Sequence, residues 1–230
     1  MVRRSPCSVS TRGFSFSLLF NDFPSGLVAS LPSIYQLLPN GPEPAVFDSQ
    51  TGDALDIYDV ETWDQRGWGM LNPTADSILK MLLPDLEAAE ERRVIAKAHV
   101  KECLRRAEDF HKLLNVPAKP PAGTSIHLFA GDAIPTIETL TSDLDKRKLT
   151  ARAESAGDRT VTRKSVLADR RTEKDWTPAL KTPIYFSDVR FLFDDHFGLT
   201  RDPEFSDNAL YLLLEDPTKD FPVQTVEPAQ

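Results

Sequence analysis

Ser125-Ile126-His127-Leu128-Phe129-Ala130 runs straight into Gly131-Asp132. A short apolar run with aromatic and β-branched members, closed by a turn pair, reads as a buried strand and its turn. Upstream, Pro117 to Gly123 is a proline-rich linker. Before the linker lies the strongest helical pattern of the chain, expected over residues 85–114. Pro84 suits the first turn, and Asp85 and Glu87 sit near the positive end of the helix dipole. Leu86, Ala89, Val94, Ala98, Cys103, Ala107, Phe110 and Leu114 mark its apolar face, and Asn115 and Pro117 end it.

Downstream of the strand, residues 141–156 are so rich in charge that a solvent-exposed stretch is expected. Gly157-Asp158 opens a turn. Thr182 to Phe193 supplies a last strand, and Ser206 to Glu215 a final helix with Ser206 or Asp207 as its N-cap. Nearer the start, residues 27–38 read as a short apolar helix or two turns, and residues 45–75 as irregular structure with small helices. Strands alternating with helices favour an α/β sheet, yet only two or three strands can be drawn, so the sheet is expected to be incomplete.

The totals narrow the function classes. With 230 residues and 40% apolar content, the chain has material for one packed domain. A net charge of -8 argues against a nucleic-acid partner, which needs a basic footprint. Cys7 and Cys103 have neither CxxC nor metal-ligand spacing, so no disulfide framework or oxidising compartment is indicated, and a cytoplasmic location is expected. No run approaches the roughly 20 apolar residues that cross a bilayer, and Ser15 and Ser17 interrupt the stretch a signal peptide would need.

Two turns carry chemistry. One is Gly157-Asp158-Arg159-Thr160-Val161 and the other is Asp194-Asp195-His196-Phe197-Gly198-Leu199-Thr200, with Asp158 and His196 38 residues apart. A carboxylate followed by a histidine agrees with the Ser, acid, His order of α/β-hydrolase triads. Histidine takes the nucleophile's proton, and the acid holds the other ring nitrogen and stabilises the imidazolium. A plain turn aspartate and a surface histidine satisfy composition and spacing equally well. His99 and Cys103 lie four apart on the long helix, but two ligands do not make a zinc site. Asp194 and Asp195 either bind a cation or accompany His196, and Lys146-Arg147-Lys148 is balanced by Asp143 and Asp145 as a solvated face.

Four segments resemble the lecithin:cholesterol acyltransferase-like family of α/β-hydrolases, in the family's order. Leu31-Pro32-Ser33-Ile34-Tyr35-Gln36-Leu37-Leu38-Pro39 is similar to its "FPSxYQLLP" segment. His127-Leu128-Phe129-Ala130-Gly131 is similar to a late strand and glycine turn. Gly157-Asp158-Arg159-Thr160-Val161 resembles the "GDGTV" turn of the catalytic acid, with Arg159 in place of glycine. His196-Phe197-Gly198-Leu199 resembles the turn of the catalytic histidine. The resemblance implies the C-terminal portion of an α/β-hydrolase sheet, residues 26–215, with a helical cap insertion at about 45–118. It implies Asp158 as acid and His196 as general base, and an acyl-ester or lipid substrate with no cofactor or metal. Trp63 and Trp68 would line an acyl pocket, or else pack in the core or cap, as aromatics usually do. Residues 1–25 are expected to be irregular and 216–230 a frayed tail.

The nucleophile elbow of such enzymes is G-x-S-x-G. The ten glycines of this chain stand at 13, 26, 41, 52, 67, 69, 123, 131, 157 and 198, and no two are four apart. In the family the elbow precedes the Tyr35-like segment, so its counterpart would fall before Met1. A triad without its nucleophile loses about six orders of magnitude in turnover. The chain alone is therefore expected to be inactive, completed by a missing N-terminal half or a partner chain, or to serve as a non-catalytic lipid-binding or protein-interaction module.

Overall fold

The computed structural model describes residues 24–172, 174 and 177–215. The expectations for residues 1–23 and for the tail from 216 lie outside the described residues. The region after Pro24 makes two single-turn helices, α1 (Ser25–Val28) and α2 (Pro32–Tyr35), as the apolar 27–38 stretch predicts. A short strand β1 (Val46–Asp48) follows, then α3 (Val60–Arg66), two 3₁₀ turns (Gly69–Leu71, Pro73–Ala75) and α4 (Asp76–Leu82). The start of α3 is fixed by Asp59, whose carboxylate accepts from the N–H groups of Glu61 and Thr62. Its end is fixed by Gly67, which takes the left-handed conformation of a C-cap at φ 65°.

The long helix α5 (Ala89–Leu114) has 26 residues, about 39 Å at 1.5 Å per residue. It begins four residues later than the sequence pattern predicts, and Arg92 supplies the reason. This buried guanidinium donates to the carbonyls of Leu86 and Glu87 at 2.8 Å and clasps the Asp76 carboxylate at 2.7 and 2.9 Å. Those carbonyls are thereby engaged outside the helix, which starts at Ala89. The buried face also differs from the expected one. Ala96, Val100, Cys103, Leu104, Ala107 and His111 are buried, whereas Val94 and Leu114 are exposed.

Among the described residues five strands form two small sheets. In the first, β1 pairs parallel to β3 (Ile134–Asp143), with Val46 opposite Leu140, and β3 pairs antiparallel to β4 (Lys148–Gly157). The second is a parallel pair, β2 (His127–Gly131) and β5 (Asp188–Leu192), with His127 opposite Asp188 and Gly131 opposite Leu192. The β3–β4 hairpin occupies the charged stretch at 141–156, and most of that stretch is solvent-exposed as expected, with residues 144–147 and 151–154 exposed. Its turn is capped by Asp143, which accepts from the N–H of Lys146 at 3.0 Å, and its core contacts are made by Leu149 and Ser142.

Between β4 and β5 lies the one-turn helix α6 (Arg163–Val166), and after β5 comes α7 (Pro203–Leu210), continued by a π turn at Tyr211–Glu215. The final helix thus starts earlier than predicted. Asp202, not Ser206 or Asp207, is its N-cap, with Pro203 in the first turn. Side chains alternate across a strand, so Phe129 and Arg190 share one face of β2–β5 and Phe191 occupies the other. On the first face Phe205 of α7 meets the Phe129 ring at 5.2 Å, and Asn208 bonds Arg190. On the second the Arg163 guanidinium lies 4.3 Å above Phe191. Each face of the parallel pair thus carries a side-chain contact, and most residues of both strands remain half-buried.

The apolar core sits elsewhere, between α5 and the 28–79 region, around Tyr35, Trp63, Trp68, Leu71, Val100 and Leu104. Arg66 ties that core to the first sheet by donating to the Ser142 carbonyl at 3.2 Å and pairing with Asp48. Backbone N–H groups of Thr51 and Gln50, together with Arg66, draw the Asp48 carboxyl down to about 2. The architecture is thus mixed α/β with small, separate sheets, as far as the α/β expectation goes. Among the described residues no helix is long and apolar enough to cross a membrane.

Candidate active site

The two chemistry-bearing turns meet at the end of β2. His196 Nδ1 lies 2.8 Å from Asp158 Oδ2, and the His196 backbone N–H donates to the Asp158 carbonyl at 3.0 Å. Asp158 is 5% exposed. Its Oδ1 accepts from the N–H groups of Thr160 at 2.9 Å and Val161 at 2.7 Å, so one oxygen is pinned and the other is aimed at the histidine. A carboxylate facing Nδ1 fixes the proton there and leaves Nε2 as the nitrogen free to accept one. The His196 side chain is 37% exposed, so the ring is open to solvent.

Each turn is built by its own residues. Asp195 Oδ1 accepts from the N–H groups of Phe197 and Gly198, and Asp194 Oδ1 from the N–H of Asp195. The two aspartates therefore shape the histidine turn. Among the described residues no group of three or more His, Cys, Asp or Glu is placed to hold a metal ion. Gly131 lets β2 approach both turns at once. A Cβ there would collide with the Asp194 carbonyl oxygen and come within 2.9 Å of Asp158 Cβ.

Arg159 occupies the acid turn at φ 79°, in the left-handed region that favours glycine, with its N–H bonded to Thr136 Oγ1 at 2.8 Å. The turn closes in spite of the side chain. A residue with a Cβ in this conformation costs about 1–2 kcal/mol, partly offset by the extra chain entropy of glycine. Arg159→Gly is therefore expected to stabilise the fold by about 1 kcal/mol, roughly 2–4 °C in Tm, read by thermal unfolding. An unchanged or lower Tm would show the left-handed turn to be unstrained.

His196 lines a cavity of about 540 Å³. Leu37, Leu38, Leu114, Val161, Val166 and Ile184 give it an apolar wall, and Asn40, Asn115 and Ser165 polar points. The Tyr35-containing segment and the end of α5 are thus brought to the dyad. Tyr35 itself is buried, donates its O–H to the Ala29 carbonyl at 2.8 Å, and has its phenol pKa raised by burial. A second histidine, His111, lines the same cavity and was not singled out from the sequence. Its Nε2 donates to the Gln36 carbonyl at 2.9 Å, so its Nδ1 accepts the Tyr58 O–H at 2.7 Å. Burial, then the charges of Glu108 and Asp56, push the Tyr58 phenol up to about 12. His111 is 4% exposed with both nitrogens satisfied, so it braces the wall.

Trp63 and Trp68 are 2% and 1% exposed and pack edge-to-face at 5.6 Å, with Tyr35 5.3 Å from Trp63. Neither lines this cavity. Their place is the core. His99 and Cys103 do approach, at 3.4 Å, but His99 Nε2 also faces the Ser30 carbonyl at 3.0 Å, and burial raises the Cys103 thiol. Lys146 pairs with Asp143 at 2.9 Å as part of the hairpin turn.

No protein-family model matches this chain. A search of curated proteins returned no match either.

Proposed function

We propose that Asp158 and His196 form the acid–base pair of a site for acyl transfer or ester hydrolysis, of the α/β-hydrolase kind that the four motifs resemble. The observation that carries this is the 2.8 Å contact of Asp158 Oδ2 with His196 Nδ1, made by residues 38 apart, with the ring at an apolar-walled cavity. In an acyl-enzyme reaction Nε2 takes the proton of a serine hydroxyl and returns it to the leaving alcohol, while Asp158 stabilises the imidazolium. The sequence holds no G-x-S-x-G serine, so the reading is of the acid–base half of such a site. The substrate would be an ester with an apolar acyl chain, such as a lipid.

The missing elbow also favours a second reading, in which the cavity binds apolar acyl compounds without turning them over. Titrating the chain with a non-hydrolysable octanoyl ester analogue, followed by ¹⁵N signals of the histidines, tests the shared part. The His196 resonances should move saturably, and in the Leu38→Trp variant, which fills the cavity, they should not. Unmoved His196 signals would sink both readings. A fluorophosphonate probe separates them from an active enzyme: the chain alone should remain unlabelled, and labelling lost on His196→Ala would show a nucleophile within it.

A further inference from the structure

A second cavity, of about 600 Å³, lies on the other side of Asn40, Ser165 and Ala168, which line both. One wall is the middle of the β3–β4 hairpin, where the ladder breaks twice. Ile137 pairs with Glu154, Thr139 with Ala153 and Leu140 with Ala151. Glu138 on β3 and Arg152 on β4 are therefore extra residues with no partner across the ladder. In a regular strand neighbouring side chains point to opposite faces. Here Glu138 and Thr139 line the same cavity, and so do Arg152 and Ala153. A bulge re-aims a side chain in this way and is characteristic of places next to functional sites.

The charges so aimed have no protein ion-pair partner among the described residues: Arg152 is exposed and Glu138 half-buried. The Arg152 guanidinium rests 3.8 Å above the Phe47 ring. Neither Arg152 nor Glu138 has an ion-pair partner within 4.0 Å among the described residues. The other charges of the cavity are matched: Lys164 pairs with Glu43 at 3.5 Å and Asp169 with Arg171 at 2.6 Å. One cation and one anion thus line the same space without pairing. Two opposite charges that line one cavity and do not neutralise each other are complementary to an occupant that carries both signs.

We propose that this cavity is a binding site for a small zwitterion. Its anionic group is held by Arg152 on the Phe47 ring and its ammonium by Glu138. Free α-amino acids and phosphoethanolamine-type headgroups share this chemistry. The site stands independently of the Asp158–His196 reading, although its shared wall sets a bound ligand next to that cavity.

Calorimetric titration of the full chain with glycine, L-serine and phosphoethanolamine tests it, with propionate and ethylamine as single-charge controls. At least one zwitterion should bind saturably at about millimolar concentration, and each single-charge control at least about tenfold more weakly. Serine binding without phosphoethanolamine binding identifies a free amino acid as the source, and the reverse identifies a headgroup. Arg152→Gln and Glu138→Gln should each weaken the zwitterion about tenfold, while His196→Ala should not. Absence of saturable binding by all three zwitterions overturns the proposal. So does equal binding of the single-charge controls to the unaltered chain, or equal zwitterion binding by folded Arg152→Gln and Glu138→Gln variants.

Discussion

Gly131→Ala is expected to unlatch the two turns from each other and to cost the fold about 3 kcal/mol, the upper end for an overpacked site. The added methyl group meets the Asp194 carbonyl oxygen and, at 2.9 Å, the Asp158 Cβ. Neither obstacle is the free end of a side chain, so no rotamer change relieves the clash. The strand end and the two turns must move apart, and the 2.8 Å bond between Asp158 and His196 goes with them. Thermal unfolding should show Tm lower by roughly 6–12 °C, at about 2–4 °C per kcal/mol for a domain of this size. The ¹⁵N signals of His196 should lose the pattern of a ring protonated at Nδ1. Gly41→Ala serves as the control, because its added Cβ would approach nothing closer than 3.7 Å and should leave Tm in place. An unchanged Tm for Gly131→Ala would mean that the strand and turns are not in this close contact.

That contact marks how far the sequence could be read. The order of an aspartate turn and a histidine turn pointed to the dyad, because both are loop residues whose pairing needs only that the chain return once to the same strand end. The glycine before Asp132 showed the turn, but that it is also the contact point of two distant loops depends on three segments meeting, which no local pattern records. The β3–β4 hairpin was illegible for a definite reason. Its two bulges, at Glu138 and Arg152, break the period of two, and exposure of Ala151, Arg152, Ala153 and Glu154 on both faces leaves no apolar alternation to find. The helix before them was legible in type and in end point. Its start was not, because the residue that stops it, Arg92, acts through side-chain bonds to carbonyls that precede it. His111 reads as one more polar residue near a helix end, and only Tyr58 and Gln36, brought in from other segments, give it two partners.

The place of the tryptophans is the other large effect. Trp63→Ala is expected to destabilise the chain by about 4 kcal/mol, in the 3–5 kcal/mol range of buried aromatic truncations. The ring is 2% exposed and packs against Tyr35 and Trp68, and its Nε1–H bonds the Ile57 carbonyl at 2.8 Å. Truncation leaves a cavity in the densest part of the core and a buried carbonyl without its donor, and both terms act in the same direction. Tm should fall by roughly 8–16 °C at about 2–4 °C per kcal/mol. Leu104→Ala, at 0% exposure in the same cluster, should behave alike with a smaller loss. The cavity beside His196 receives no atom of Trp63, so the fraction of Trp63→Ala that remains folded should bind an acyl ester analogue with unchanged affinity. The opposite result, weakened binding with Tm preserved, would place Trp63 in an acyl pocket and remove it from the core. The aromatic core holds α5 against the 28–79 region, while the Asp158–His196 contact depends on the glycine at the end of β2.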